Sequence, residues 1–117
     1  MPINMFKNAR DTRAFEAGQV VFKAGDPGDA MFAVVEGSIE LSREGAVIET
    51  VGEGGIFGEL ALVDDSPRGA TAVAAAPTRL AVVDQQHFIF LVQEHPTFAV
   101  QVMRIMAERL RAANERH

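Results

Sequence analysis

The sequence contains no cysteine. Disulfide bridges, thiolate nucleophiles and cysteine-based metal centres are thereby excluded, and the absence fits a reducing compartment. No run of about 18 apolar residues occurs, so no transmembrane helix is expected. Met1–Arg10 also lacks the apolar stretch of a signal peptide. A cytoplasmic location and no membrane partner are the expectation. Positive charge is scarce as well: 11 Lys and Arg stand against 16 Asp and Glu, for a formal charge of −5. A protein that binds duplex nucleic acid displaces counterions with a basic footprint, and this balance opposes one. There is no linker, internal repeat or low-complexity segment. A single domain over residues 1–117 is expected, since domains commonly run to about 100–150 residues. Hydrophobic residues make up 48 % of the chain, which is enough for a core.

What the sequence does have is glycine, and all ten glycines lie between Gly18 and Gly69. Short apolar runs separate them: Gln19–Lys23, Ala30–Glu36, Ser38–Arg43 and Ala46–Val51. Short runs between turn signals read as strands. Ile39 and Leu41 alternate with Ser38, Glu40 and Ser42, which gives that strand one wet face. Arg43-Glu44-Gly45-Ala46 reads as a hairpin tip. Thr71–Ala76 and Thr78–Val83 are two further strands, parted by Pro77, which cannot continue a ladder.

After Asp84 the pattern becomes helical. Asp84 suits an N-cap for a helix from Gln85, and Phe88, Leu91 and Val92 recur at helical spacing. Glu94-His95-Pro96 breaks that helix, and Pro96 can open the next. From Thr97 to Ala113 an apolar stripe runs through Phe98, Val102, Ile105, Met106 and Leu110. It suits packing on the roll, a ligand lid or a dimer seam. Pro2–Arg10 is expected to form a short helix. Strands first and helices last predict an α+β, mainly β architecture: an antiparallel β-roll over about 13–84, then helices over about 85–114.

One stretch departs from the strand–turn rhythm, Gly52 to Thr71. Glu59-Leu60-Ala61-Leu62 favours a single helical turn, with Gly58 at its N-terminus. Free N–H groups there attract an anion, and glycine allows close approach. Arg68 follows nine residues after Glu59 and is flanked by the small Gly69 and Ala70. A guanidinium fork suits two oxygens of one phosphate. The Glu59 carboxylate would repel that phosphate but can accept from sugar hydroxyls. The stretch thus describes a pocket for a compact, singly charged sugar phosphate. The same spacing also fits a surface ion pair between Glu59 and Arg68, with Asp64-Asp65 decorating a turn. Known phosphate loops do not match: Phe57 stands where GxGxxG wants glycine, and no Gly-Lys-Ser/Thr occurs.

Phe57-Gly58-Glu59-Leu60-Ala61-Leu62 followed by Pro67-Arg68-x-Ala70-Thr71 resembles the phosphate-binding cassette of cyclic nucleotide-binding domains. These occur in protein kinase A regulatory subunits, nucleotide-gated channels and the catabolite activator protein. Phe15-x-Ala17-Gly18-Gln19-Val20-Val21-Phe22-x-x-Gly25-Asp26-x-Gly28-Asp29-Ala30-Met31-Phe32 resembles the family's early strands and turn. Val34-Val35-Glu36-Gly37-Ser38-Ile39 resembles the strand that follows. The likeness runs from about Phe15 to the C-terminal helix. It implies that Glu59 accepts from the ribose 2′-hydroxyl and that Arg68 pairs with the cyclic phosphate. Gly58, Leu60, Ala61, Gly69 and Ala70 would complete the cradle. The base would pack near Val51 or other apolar roll residues, under a lid from the last helix. A threonine directly after the arginine favours guanine in the family; Gly69 stands there, which favours cyclic AMP over cyclic GMP. Gly69 also departs from the common alanine or serine. Thr71 reads as structural.

Family transcription factors continue into a helix-turn-helix domain, whereas this sequence ends at His117. A stand-alone sensor is therefore expected, without catalysis or cofactor, acting on a protein partner as a monomer or homodimer. The alternative is a degenerate roll that serves as an interaction or dimerisation module. His87, His95 and His117 lack an acidic ligand at helical spacing, so no metal site is expected. Ser38, Ser42 and Ser66 lack the partners of a triad. Asp26 and Asp29 suit a turn better than a calcium loop.

Overall fold

The computed structural model describes residues 5–9 and 11–115. Among the described residues eight strands come first and two helices follow. The strands are β1 (Thr12–Phe15), β2 (Val20–Phe22), β3 (Ala30–Glu36), β4 (Ile39–Arg43), β5 (Ala46–Val51), β6 (Ile56–Phe57), β7 (Thr71–Ala74) and β8 (Thr78–Asp84). A 3-10 turn, Glu59–Leu62, separates β6 from β7. The helices are α1 (Gln85–Glu94) and α2 (Pro96–Glu115). The chain divides into two compact units at the Asp84–Gln85 junction.

The first unit is an antiparallel roll of two four-stranded sheets, ordered β1-β8-β3-β6 and β2-β7-β4-β5. β3 is central in its sheet, and Ala30 to Val34 are all buried. A strand buried on both faces reads as a continuous apolar run, which is how Ala30–Glu36 stands in the sequence. β4 shows the alternation expected of it: Ile39 and Leu41 are buried and Glu40 is exposed. Phe32, Val34, Ile39, Leu41, Val51, Phe57 and Leu80 form the core with Ala72 and Ala74. The Phe32 and Phe57 rings stack with centroids 5.3 Å apart. Burying a large apolar side chain contributes about 1.5–3 kcal/mol, so this cluster dominates the roll's stability.

The turns follow the glycines. Glu44 and Gly45 both take positive φ, at 53° and 82°, and close a two-residue hairpin between Arg43 and Ala46. Such a tip matches the right-handed twist of the flanking strands. Gly37 (φ 93°) is the other tight point. A Cβ there would stand 2.5 Å from the Pro77 carbonyl oxygen and from Thr78 Oγ1. The buried Thr78 hydroxyl accepts from the Ser38 N–H at 3.2 Å and donates to the Ala76 carbonyl at 2.7 Å.

Several limits differ from those expected. β7 stops at Ala74, because the Ala75 N–H turns to the Ser38 carbonyl. β1 and β6 are additional strands; β1 pairs along β8 at the sheet edge, and β6 has only two residues. Met5–Asn8 form a turn closed by the Ala9 N–H on the Phe6 carbonyl, where a helix was expected. So short a segment makes too few hydrogen bonds to offset helix nucleation. The remainder of that expected helix, residues 2–4 and 10, lies outside the described residues.

In the second unit, α2 does begin at Pro96, and the Phe98 N–H bonds the His95 carbonyl at the break. The Phe88 and Phe98 rings lie 5.6 Å apart. Phe98 and Val102 are buried, Ile105 and Met106 are half-buried, and Leu110 is exposed, so the apolar stripe fades toward the C-terminus. Among the described residues no helix is long and apolar enough to cross a membrane.

Gly37→Ala is expected to destabilise the roll by about 2 kcal/mol or more, through positive φ and overlap with backbone. Urea unfolding should show a midpoint lower by about 1 M with an unchanged slope.

Candidate functional site

β6 carries the chain to Gly58, which takes the left-handed conformation (φ 75°, ψ 16°) and opens the 3-10 turn. Its carbonyl accepts from the Ala61 N–H at 3.3 Å and from Arg68 Nη1 at 3.1 Å. A Cβ on Gly58 would lie 2.7 Å from that Nη1. Glycine is thus required twice here, by conformation and by space. Beyond the turn, the Ser66 N–H bonds Asp64 Oδ1, which leads the chain back toward Arg68.

Arg68 is anchored through backbone and side chain. Its N–H donates to the Asp26 carbonyl at 2.8 Å, and its carbonyl accepts from the Gly25 N–H at 2.7 Å. Nη2 donates to the Ala30 carbonyl at 2.7 Å. Cζ lies 4.2 Å from the centre of the Phe22 ring and 5.7 Å from that of Phe32. A Cβ on Gly28 would overlap Nε and Cζ, so the Gly28 backbone also lies against the guanidinium. Burial lowers the Arg68 pKa from its ordinary value, while Asp29, Asp26 and Glu59 act to raise it. An arginine starts so far above neutrality that it stays charged.

A guanidinium carries five N–H donors. Two of them serve the Gly58 and Ala30 carbonyls. Nε is buried without a hydrogen-bond partner. An unmatched buried donor costs about 1–3 kcal/mol, so the side chain retains capacity for an acceptor such as an anionic oxygen. Glu59, at 5 % exposure, is buried beside this cation, which does not fit a surface ion pair.

The sequence profile of the family described as the cyclic nucleotide-binding domain matches residues 12–95. The chain belongs to this family. Over 105 residues it is 37 % identical to lysophospholipase nte1 of Aspergillus fumigatus, covering 86 % of this chain and 7 % of that protein. The catabolite activator protein of Thermus thermophilus superposes with a TM-score of 0.78 at 30 % identity, over 89 % of this chain and 51 % of that one. The EAL enzyme Bd1971 superposes in a cAMP-bound form (TM-score 0.66, 29 % identity) and a cGMP-bound form (0.68, 28 %). Each form covers 90 % of this chain and 30 % or 29 % of that one. The chain thus spans 7 % of that lysophospholipase and about half or less of these solved chains.

Within this cyclic nucleotide-binding domain, Arg68 bonds the Gly58 carbonyl, and the buried Glu59, next to Gly58, acts on the Arg68 charge. Leu60 is 54 % exposed, whereas Ala61 is half-buried. Gly69 is exposed, with its carbonyl bonded by Arg43 Nε at 2.9 Å, and Ala70 packs partly against the core. Val51, expected near the base, is itself a core residue at 4 % exposure. Thr71 is structural in the expected way: its hydroxyl accepts the Ala24 N–H at 3.0 Å.

Sequence reasoning missed Phe22, Gly28, Ala30 and Arg43 as neighbours of the site. Gly25-Asp26-x-Gly28-Asp29-Ala30 stood out only as a turn. Its crowding of glycines and acids was the available signal, since a turn so built leaves room for a large cation and charge to face it.

Gly28→Ala is expected to push the guanidinium off the Ala30 carbonyl and destabilise the domain by about 1–3 kcal/mol. Thermal melting reads the stability, and the Arg68 side-chain nitrogen resonances should shift. Unmoved resonances would contradict the close packing of Gly28 on Arg68.

Proposed function

We propose that this domain is a non-catalytic cyclic-nucleotide sensor that prefers cyclic AMP. The observation that carries the reading is Arg68: a charged, partly buried guanidinium with an unpartnered Nε, beside the buried carboxylate of Glu59. Opposite charges that act on one another in this way suit a ligand that is anionic at one end and offers hydroxyls at the other. In this reading Arg68 meets the cyclic phosphate and Glu59 the ribose 2′-hydroxyl. Gly58, Leu60, Ala61, Gly69 and Ala70 supply the cradle. Gly69 offers no hydroxyl to a guanine, hence the preference for cyclic AMP. The neighbour Bd1971, described in cAMP-bound and cGMP-bound forms, supports the ligand class and makes cyclic GMP the natural competitor.

The whole of residues 1–117 acts as one regulatory domain in this reading, with the roll over about 13–84 and the responsive helices over about 85–114. It needs no cofactor, works in the cytoplasm, and passes its signal to a protein partner through α2. A ligand that binds one arrangement of α2 better than another suffices to shift the balance. A second reading draws on one observation. Arg68 already bonds the Gly58 and Ala30 carbonyls, so it could serve solely as a strut in a roll used for protein interaction.

Calorimetric titration of nucleotide-stripped protein with cyclic AMP and then cyclic GMP separates the two. A sensor should bind cyclic AMP at micromolar concentration or tighter. Glu59→Ala should weaken binding about tenfold and Arg68→Leu about a hundredfold, the scale of one to two charge-assisted hydrogen bonds. A strut predicts no heat with either nucleotide and a lowered melting temperature for Arg68→Leu alone.

A further inference from the structure

The surroundings of Arg68 pose a charge problem for an anionic ligand. Asp29, Asp26 and Glu59 all act on this one guanidinium. A phosphate approaching Arg68 therefore also meets negative charge, which further positive charge nearby would offset. Relief has to come from a cation close to Arg68 but not spent on those carboxylates.

Arg43 meets that requirement. It is the last residue of β4, held at the base of the two-residue hairpin tip and facing Ala46 across it. β4 runs antiparallel to β7 with Ser42 opposite Thr71, and continuing that register brings Arg43 beside Ala70. Its Nε donates to the Gly69 carbonyl at 2.9 Å, and its Nη2 lies 3.9 Å from where a Gly69 Cβ would be. The residue is exposed, so its charge faces the solvent through which a ligand arrives. We propose that Arg43 is a second arginine of the phosphate site, a positioning residue that clamps the Gly69 carbonyl and supplies the positive charge that draws the anion in.

The clamp has a geometric consequence. The Gly69–Ala70 peptide is trans, so its C=O and N–H point to opposite sides. Fixing the Gly69 oxygen on Arg43 therefore fixes the Ala70 N–H on the face away from Arg43. Gly69 is the residue most in need of such restraint, since it has no side chain to limit its backbone. An exposed hydrogen bond adds little to folding stability, so the bond matters chiefly for orientation. Arg43 also differs from Arg68 in kind: Arg68 is partly buried against Phe22 and Gly28, and Arg43 is exposed at the end of β4, the neighbour of β7 in the same sheet.

The inference rests on the cyclic-nucleotide reading, and its test separates the two. Arg43→Gln and Arg43→Lys are compared with the unaltered domain and with Arg68→Leu, using cyclic AMP at low and high salt. Arg43→Gln should weaken binding about tenfold at low salt, with the gap shrinking as salt screens the lost charge. Arg43→Lys should restore the salt dependence and leave a loss of about threefold, since an ammonium keeps the charge without the fork. Melting temperatures should barely move. A second readout needs no nucleotide: the Ala70 amide nitrogen resonance senses the bond on the Gly69 carbonyl and should shift in both Arg43 variants. Unaltered affinity in Arg43→Gln, alongside binding lost in Arg68→Leu, overturns the second-arginine role and leaves the sensor standing. An unmoved Ala70 resonance overturns the clamp whatever binds. If the unaltered domain binds no cyclic nucleotide, the sensor reading falls and this role falls with it.

Discussion

The guanidinium of Arg68 is the constraint on which the rest of the site depends. It enters the roll where the Gly28 backbone and the Phe22 ring both lie against it, and it ties together two carbonyls far apart in sequence. Gly58 ends the approach to the 3-10 turn, and Ala30 begins the central strand β3. Neither glycine at this point can carry a side chain without displacing the cation. Arg68 also bonds through its own backbone to Gly25 and Asp26. One residue thus fixes the turn before β3, the start of β3 and the start of the 3-10 turn. Glu59 is the first residue of that 3-10 turn, so its backbone position follows from the Gly58 carbonyl that Arg68 holds.

Burial and charge act in opposite directions on this group. Desolvation disfavours its charged form and prevails, while Asp29, Asp26 and Glu59 offset part of it. The aromatic faces of Phe22 and Phe32 add a cation–π contribution of about 0.5–2 kcal/mol. Hydrogen bonds to two carbonyls complete the compensation but leave Nε unmatched. A cation over-supplied with negative neighbours yet short of one acceptor suits an incoming anion only if further positive charge is near. In the proposed role, that charge comes from Arg43, at the end of the neighbouring strand β4.

Much of this was legible in the sequence because local rules coincided with the fold. β3 and β5 have the limits that their apolar runs predict, the hairpin tip falls on Glu44-Gly45, and α2 opens at Pro96. Glu59 and Arg68 stood out in the sequence by residue type and spacing, but spacing alone also fitted a surface ion pair, and the family resemblance weighed between the two. β1 and β6 were not. Two half-buried and two exposed residues at a sheet edge, and two buried ones, show no periodicity, and tertiary pairing alone makes them strands. The partners of Arg68 were hidden for a related reason. They are backbone carbonyls, the farther one 38 residues away, and a carbonyl leaves no mark on residue identity.

The register of β3 on β8 gives the site a mechanical reach beyond itself. Ala30, whose carbonyl Arg68 holds, stands opposite Asp84, and Asp84 is the last residue before α1 begins. The bond from Nη2 thus acts on the strand end from which the helices depart. A phosphate that draws on the donors of Arg68 competes with the Ala30 carbonyl for the same cation. That bond lies at the Asp84 end of the β3–β8 ladder. In the sensor reading, the route from ligand to helix is then one hydrogen bond and one strand pair long. The two-unit division at Asp84–Gln85 falls at the point where this route leaves the roll.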